Sequence, residues 1–305
     1  MSFSDPHATV LEHPSQVTDA RARKVVRPPV PPNTAASVGS RTARERVAQP
    51  RLSRAPSPPA VGLLGLDFAD LDADRAAAWL AERPAQALFG YVVTPNADHL
   101  VRVAGRPDLA SIYRAALLRL LDSRVVAAAA RALRLPVPRV APGSDVTEQL
   151  LTRYLRPSES VTIIGLRAQW LPALVAHYGL SRPAHYDPPM GFAADPAALA
   201  ATVAFVLSHP ARFVFLAVGS PQQEVLAAAI AATGRATGIG LCIGASLEFL
   251  AGAANRAPRW MQSAGLEWLY RLGGSPRRLA RRYLLDSPAV FGMLVRARLG
   301  SAGDF

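Results

Sequence analysis

Between Val61 and about residue 252, short apolar runs alternate with alanine-rich amphipathic stretches every 25 to 30 residues. That is the rhythm of βα units laid on a parallel sheet. The pattern predicts strands over 61–66, 88–93, 161–165, 212–218 and 238–243, with weaker ones near 116–121 and 183–187. It predicts helices over 72–82, 97–104, 123–134, 145–155, 168–178, 195–208 and 221–232. Asp195-Pro196 and Ser220-Pro221 each read as an N-cap followed by proline at the first helical position. Gly240 is expected inside a strand, and no internal repeat is visible.

The pattern breaks at both ends. Residues 1–60 contain ten prolines and few large apolar residues, so they read as a disordered basic tail that buries too little surface to offset its ordering entropy. After residue 252, Pro258, Pro276 and Pro288 punctuate short helices rich in arginine and aromatic residues. In 275–285, Arg278, Arg281 and Arg282 lie to one side and Leu279, Tyr283 and Leu284 to the other. Such a basic amphipathic helix suits an anionic membrane surface. The expected organisation is therefore a tail (1–60), an α/β domain (61–252) and a helical appendage (253–305).

Charge sharpens this division. The net charge is +12, yet residues 1–60 hold nine cations against four anions and residues 251–305 nine against three, while the middle holds sixteen against fifteen. Lys24 is the only lysine beside 33 arginines, so the placement of arginines says more than their number. The single cysteine, Cys242, removes disulfide frameworks and cysteine-based zinc sites. Without a signal-peptide-like apolar run the expected compartment is the reducing cytoplasm. The longest apolar stretch, 203–219, is interrupted by His209, Pro210 and Arg212, which argues against a spanning helix. The histidines are scattered, and the run Asp67, Asp70, Asp72, Asp74 reads as a helix start rather than a cation site, so no metal is expected.

Three expected strand ends carry candidate chemistry, because ligands of open α/β sheets gather at the carboxyl ends of strands. Thr94 and Asn96, in Thr94-Pro95-Asn96-Ala97-Asp98, offer a hydroxyl and an amide at a helix mouth, either for sugar or phosphate oxygens or simply as a cap. Asp122, in Leu120-Leu121-Asp122-Ser123, is either a general base or the N-cap of the next helix. Gly219 in Val218-Gly219-Ser220-Pro221-Gln222-Gln223-Glu224 allows close backbone approach, and the helix after it presents amides to a diphosphate. That segment is neither a Walker loop nor a dinucleotide fingerprint.

In order, TPNAD, LLDS, VGSPQQE, GASLEFLAG, NRAPRW, GLEWLYRL and SPRRLARRYL resemble the WecG/TagA/CpsF glycosyltransferases, glycosyltransferase family 26, over roughly 61–290. Gln223-Glu224, Arg256-Ala257-Pro258 and Gly265-Leu266-Glu267-Trp268 are the most distinctive matches. The resemblance implies a Rossmann-like parallel sheet flanked by helices, with a C-terminal helical appendage. It implies inverting transfer of a hexose or N-acetylhexosamine-type sugar, without metal or cofactor, from a UDP-sugar to a polyprenyl-diphosphate-linked acceptor in bacterial surface or exopolysaccharide synthesis. Asp122 takes the position of the catalytic base, with Thr94 and Asn96 in the same cleft. Gly219, Gln222, Gln223 and Glu224 are implied to bind the nucleotide-sugar. Arg256, Arg271, Arg278, Arg281 and Arg282 belong to an appendage that closes the site and meets phosphate or membrane, which places the enzyme peripherally on the inner face of the cytoplasmic membrane.

The chain departs from the family pattern at Ser123, where glycine is frequent, at Gln222, where lysine is frequent, and by an extra residue in Val140-Ala141-Pro142-Gly143-Ser144-Asp145. Two other classes compete with the enzyme reading. A nucleotide-sugar-binding protein without catalysis shares the fold, whereas a nucleic-acid-binding protein would use the basic ends but lacks a recognition module; nucleic acid is not an expected partner. The sequence leaves homo-oligomerisation open.

Overall fold

The computed structural model describes residues 57–300, except 157, 182, 254–256, 259, 262–265, 275 and 282–285; the tail over 1–56 lies outside the described residues. Six strands form one parallel sheet: β3 (Gly90–Val93), β4 (Leu118–Arg119), β5 (Val161–Gly165), β6 (Ala184–Tyr186), β7 (Phe213–Ala217) and β8 (Ile239–Cys242). Their order is β4-β3-β8-β7-β5-β6, and every neighbouring pair is parallel. The chain is an α/β fold with helices on both faces of this sheet.

Side chains alternate across the strands with the period of two that a pleated sheet imposes. Phe213 and Phe215 point to one face and Val214 and Leu216 to the other, all buried. One face is covered by helices α1 (Ala73–Ala81), α5 (Gly143–Gln149), α6 (Leu171–Tyr178) and α9 (Ser246–Leu250) through Leu80, Val146, Leu174 and Leu247. The other is covered by α2 (Ala97–Ala104), α3 (Pro107–Ala115), α4 (Arg124–Ala132), α7 (Pro196–Ser208) and α8 (Gln222–Ala232) through Leu100, Tyr113, Val126, Val206 and Leu226. Gly240 does lie inside a strand, and its hydrogen is a packing requirement: a Cβ there would come 2.4 Å from the Phe89 ring.

The connection from β5 leads outward to β6, whereas that from β7 leads the opposite way to β8. Helices after these two neighbours consequently lie on opposite faces, leaving a crevice at their carboxyl ends. Gly165 and Gly219 sit at those ends with φ of +84° and +80°. At Gly165 a Cβ would press within 2.8 Å of the Ala217 carbonyl, so glycine lets β5 and β7 approach where they finish.

Several elements differ from the sequence expectations. The strand expected over 61–66 is a hairpin, β1 (Ala60–Leu63) and β2 (Leu66–Ala69), turning at Leu64 and Gly65, which both adopt positive φ as two-residue hairpins demand. Helix α3 was not anticipated, although Pro107 at its first turn and buried Leu109, Ala110 and Tyr113 account for it. Asp195 caps α7 as expected, its Oδ1 accepting from the Ala197 amide at 2.9 Å. Ser220 does not cap α8; Pro221 holds that position with no side-chain cap, and the Ser220 hydroxyl accepts from Arg102 instead.

Beyond residue 252, helices α10 (Glu267–Gly274), α11 (Pro276–Arg281) and α12 (Ala289–Arg298) are described. Val290 and Leu294 of α12 are fully buried in the core shared with α2 and α4.

Candidate active site

Thr94 follows β3, Asp122 follows the short extension of β4, Gly219 follows β7 and Gly244 follows β8. All four therefore stand along the carboxyl edge of the sheet. Backbone pairing welds the first two ends together, since the Asp122 amide donates to the Pro95 carbonyl at 3.0 Å.

Asp122 had two readings on the sequence, and the structure assigns the cap to its neighbour. Ser123 is the N-cap of α4, its Oγ accepting from the Val126 amide at 3.2 Å. Serine caps well where glycine is merely tolerated, which gives the departure from the family pattern a local role. The Asp122 carboxylate turns instead to the start of α5, where Oδ2 accepts from the Gly143 amide at 3.2 Å. Thr94 completes this corner. It is buried, donates to the Cys242 carbonyl at 3.3 Å, and lies so close to Gly143 that a Cβ there would meet its Oγ1 at 2.8 Å. Asn96 caps α2, its side chain accepting from the His99 amide at 3.3 Å; Thr94 and Asn96 thus flank the strand end beside Asp122.

The loop after β7 is tied into the same edge by a residue not singled out on the sequence. Arg102 of α2 donates through Nη2 to Asp98 Oδ2 at 2.6 Å and through Nη1 to Ser220 Oγ at 2.9 Å. The first contact is an i,i+4 pair visible in the sequence; the second spans 118 residues and has no local signal. Gly143, in the loop with the extra residue, donates the amide that meets Asp122. Arg167, just after β5, is exposed at the mouth of the crevice.

Gly219 lies in open space with nothing within 4 Å of a hypothetical Cβ, and Gln222 is half-buried at the start of α8. Gln223 and Glu224 are placed differently, at 2% and 0% exposure. Gln223 accepts through Oε1 from the Gly244 amide at 2.8 Å and donates through Nε2 to Glu224 Oε1 at 2.9 Å. The same Glu224 oxygen accepts from the Tyr113 hydroxyl at 3.2 Å. Oε2 is buried, with no hydrogen-bond partner found for it among the described residues. Desolvation raises the Glu224 pKa above the ordinary carboxylate range, and hydrogen bonding by Gln223, its own amide and the two hydroxyls opposes that shift. Burial beside Glu224 likewise pushes Tyr113 and Cys242 up. The pair thus forms a bracket beneath the cleft that holds the loop after β8.

Of the C-terminal arginines, Arg271 lies on α10, and Arg278 and Arg281 lie on α11. Arg281 is exposed, its Nε 3.9 Å from Asp286 Oδ1. Arg256 and Arg282 lie outside the described residues. The acidic run at the start of α1 is structural: Asp72 caps the helix through the Arg75 amide, and Asp70 accepts from the Arg139 amide.

No described helix is long and apolar enough to cross a membrane. The Asp122 carboxylate, the Thr94 hydroxyl and the Gly219 loop share the carboxyl edge of a parallel sheet, where ligands of open α/β sheets bind. Residues 61–303 match the model of the glycosyl transfer family described as WecG/TagA/CpsF, and the chain belongs to that family of glycosyltransferase enzymes.

Proposed function

We propose that the chain transfers a hexose or N-acetylhexosamine-type sugar from a UDP-sugar to a polyprenyl-diphosphate-linked acceptor, with inversion and without a metal. The observation that carries this reading is the orientation of the Asp122 carboxylate at the carboxyl edge of the sheet. Ser123 takes the cap, so the carboxylate is oriented by the Gly143 amide beside Thr94. In the reaction Asp122 removes the proton of an acceptor hydroxyl. That oxygen bonds to the anomeric carbon as the bond to the diphosphate breaks, and UDP leaves with the electron pair.

The donor lies along the sheet edge. Gly219 and Gln222 stand three strands from Asp122, roughly 14 Å at the spacing of neighbouring strands, a separation suited to a nucleotide at one end and a reacting sugar at the other. The start of α8 is the positive end of a helix dipole and favours the diphosphate. Gln223 and Glu224 serve the donor by holding Gly244 and the first turn of α8, not by contact. Arg256, Arg271, Arg278, Arg281 and Arg282 supply the cationic closure over the leaving group.

The appendage (253–305) also sets the protein against an anionic membrane, where a lipid-linked acceptor resides. Phe291, Val295 and Leu299 stand exposed at i, i+4 and i+8 along α12, next to exposed Arg296 and Arg298. This is the apolar-plus-basic pattern of an interfacial helix, and it adds α12 to the basic segment 275–285.

The test is Asp122→Asn, assayed for UDP release with a panel of UDP-sugars and a polyprenyl-diphosphate-linked sugar. Loss of the base lowers kcat about 10²- to 10⁴-fold with little change in donor KM. Near-normal turnover would remove Asp122 from the chemistry.

A further inference from the structure

A surface groove of about 790 Å3 runs along α4, and no residue assigned above to donor binding or catalysis lines it. Val125, Ala128 and Ala129 form its apolar floor, and Leu266, Trp268 and Phe291 stand against them. Arg124 and Arg131 line the same groove; at seven residues' separation they share one helix face, roughly 10 Å apart along the axis. Residues from both ends of α4 contribute, so the groove follows the helix from the Asp122 end to its far end. Arg124 is two residues from Asp122.

Two of the three arginines in this groove, Arg124 and Arg131, have no carboxylate partner among the described residues, whereas Arg139 is paired. Asp72 is the one carboxylate among its lining residues, and it is already committed to the α1 cap and to Arg139, whose Nη1 lies 3.2 Å away. Arg124 also sits in the first turn of α4, where a cation opposes the helix dipole by about 0.3–1 kcal/mol. Helix stability therefore does not explain it. Apolar surface is exposed here as well: Phe291 remains 42% accessible. A groove with unpaired cations, an apolar floor and aromatic walls is complementary to a molecule that is anionic and greasy at once.

We propose that this groove binds the lipid diphosphate of the acceptor. Arg124 and Arg131 meet the diphosphate, and the first isoprenoid units lie over Val125, Ala128 and Ala129 against Trp268 and Phe291. The inference rests on the reading of Asp122 given above, because only an acceptor anchored there brings its sugar hydroxyl to that carboxylate. A sugar joined directly to the diphosphate is then within reach of Asp122, two residues from Arg124.

The test uses the full chain and farnesyl diphosphate as a soluble probe, with inorganic diphosphate, farnesol and UDP as comparisons, read by calorimetry. Farnesyl diphosphate is expected to bind more tightly than inorganic diphosphate or farnesol. Ala128→Trp, which fills the exposed floor, lowers that affinity about tenfold or more, equivalent to ~1.4 kcal/mol, and leaves UDP binding unchanged. The double variant Arg124→Ala/Arg131→Ala has a similar effect and flattens the salt dependence. Unchanged farnesyl diphosphate binding in Ala128→Trp overturns the proposal. So does full displacement of the probe by phosphatidylglycerol vesicles, which would make this a phospholipid headgroup site, or a switch from dimer to monomer in Ala128→Trp with probe affinity intact, which would make it a contact between copies. The binding arm contains no sugar donor. Failure of Asp122→Asn to affect turnover would thus overturn the catalytic reading while leaving the probe result standing, and normal transfer with unaltered binding in Ala128→Trp would overturn the groove alone.

Discussion

Glu224 offers the sharpest test of how the cleft is held, because its role depends on which protonation state the fold selects. The side chain is fully buried, desolvation raises its pKa, and its Oε1 is shared by the Gln223 amide and the Tyr113 hydroxyl. Glu224→Ala would leave both donors without an acceptor at about 1–3 kcal/mol each and add a cavity. The expected total, roughly 3–6 kcal/mol, is a large part of a domain's stability. Glu224→Gln keeps a carbonyl for both donors and carries no charge, so near pH 5 it should cost little. The pH dependence then separates the two. A carboxyl whose folded pKa exceeds its unfolded value of 4.5 holds its proton in the native state after the unfolded chain has lost it. Native stability falls as pH rises from about 4.5 to the shifted pKa, with a limiting slope of ~1.4 kcal/mol per pH unit. Glu224→Gln has no such slope. Urea melts of both proteins at successive pH values from 5 to 8 should converge at the acid end and separate upward, the glutamine variant becoming the relatively more stable. Parallel stability profiles would refute a neutral Glu224. If the bracket serves the donor loop, Glu224→Gln should also retain its donor KM.

Gly240→Ala drives a methyl to 2.4 Å from the Phe89 ring, so thermal melting should show a loss of about 1–3 kcal/mol from overpacking with catalytic residues untouched. Removing the C-terminal helices outright is a poor membrane test, since Val290 and Leu294 are core residues and truncating even one costs roughly 2–5 kcal/mol. Val295→Ser/Leu299→Ser changes only exposed apolar positions at the end of α12 and spares Phe291, which lines the α4 groove. It should leave the melting temperature nearly unchanged and weaken sedimentation with anionic vesicles; unchanged sedimentation would move the membrane contact elsewhere.

The central strands were legible because they are short, nearly continuous apolar runs, as strands buried on both faces of a parallel sheet must be. What escaped was set by contacts distant in sequence. The hairpin at 60–69 was hidden because a leucine occupies a positive-φ position beside Gly65, where asparagine or glycine would have announced the turn. Helix α3 was obscured by its nearness to α2, despite Pro107. At Asp122 local sequence offered a base or a cap with equal force; the structure gives the α4 cap to Ser123 and turns Asp122 to the Gly143 amide, 21 residues away.

Gln223 and Glu224 show the opposite case, in which the sequence held more than motif matching extracted. Residues 223, 226, 227 and 230 fall on one face of α8, and Leu226, Ala227 and Ile230 make that face apolar. Helical periodicity alone therefore turns Gln223 inward, and it places Gln222 one step round toward solvent. A conspicuous polar pair at a helix start invites assignment to the ligand, and its burial shows that it also serves the packing of α8. The same reasoning applied to α4 separates Val126, Ala127 and Ala130, which are buried, from Val125, Ala128 and Ala129, which line the groove with Arg124 and Arg131. This alanine-rich helix thus has a second, small-residue face beside two arginines with no carboxylate partner among the described residues. Its small side chains leave room, and its cations give that room a charge.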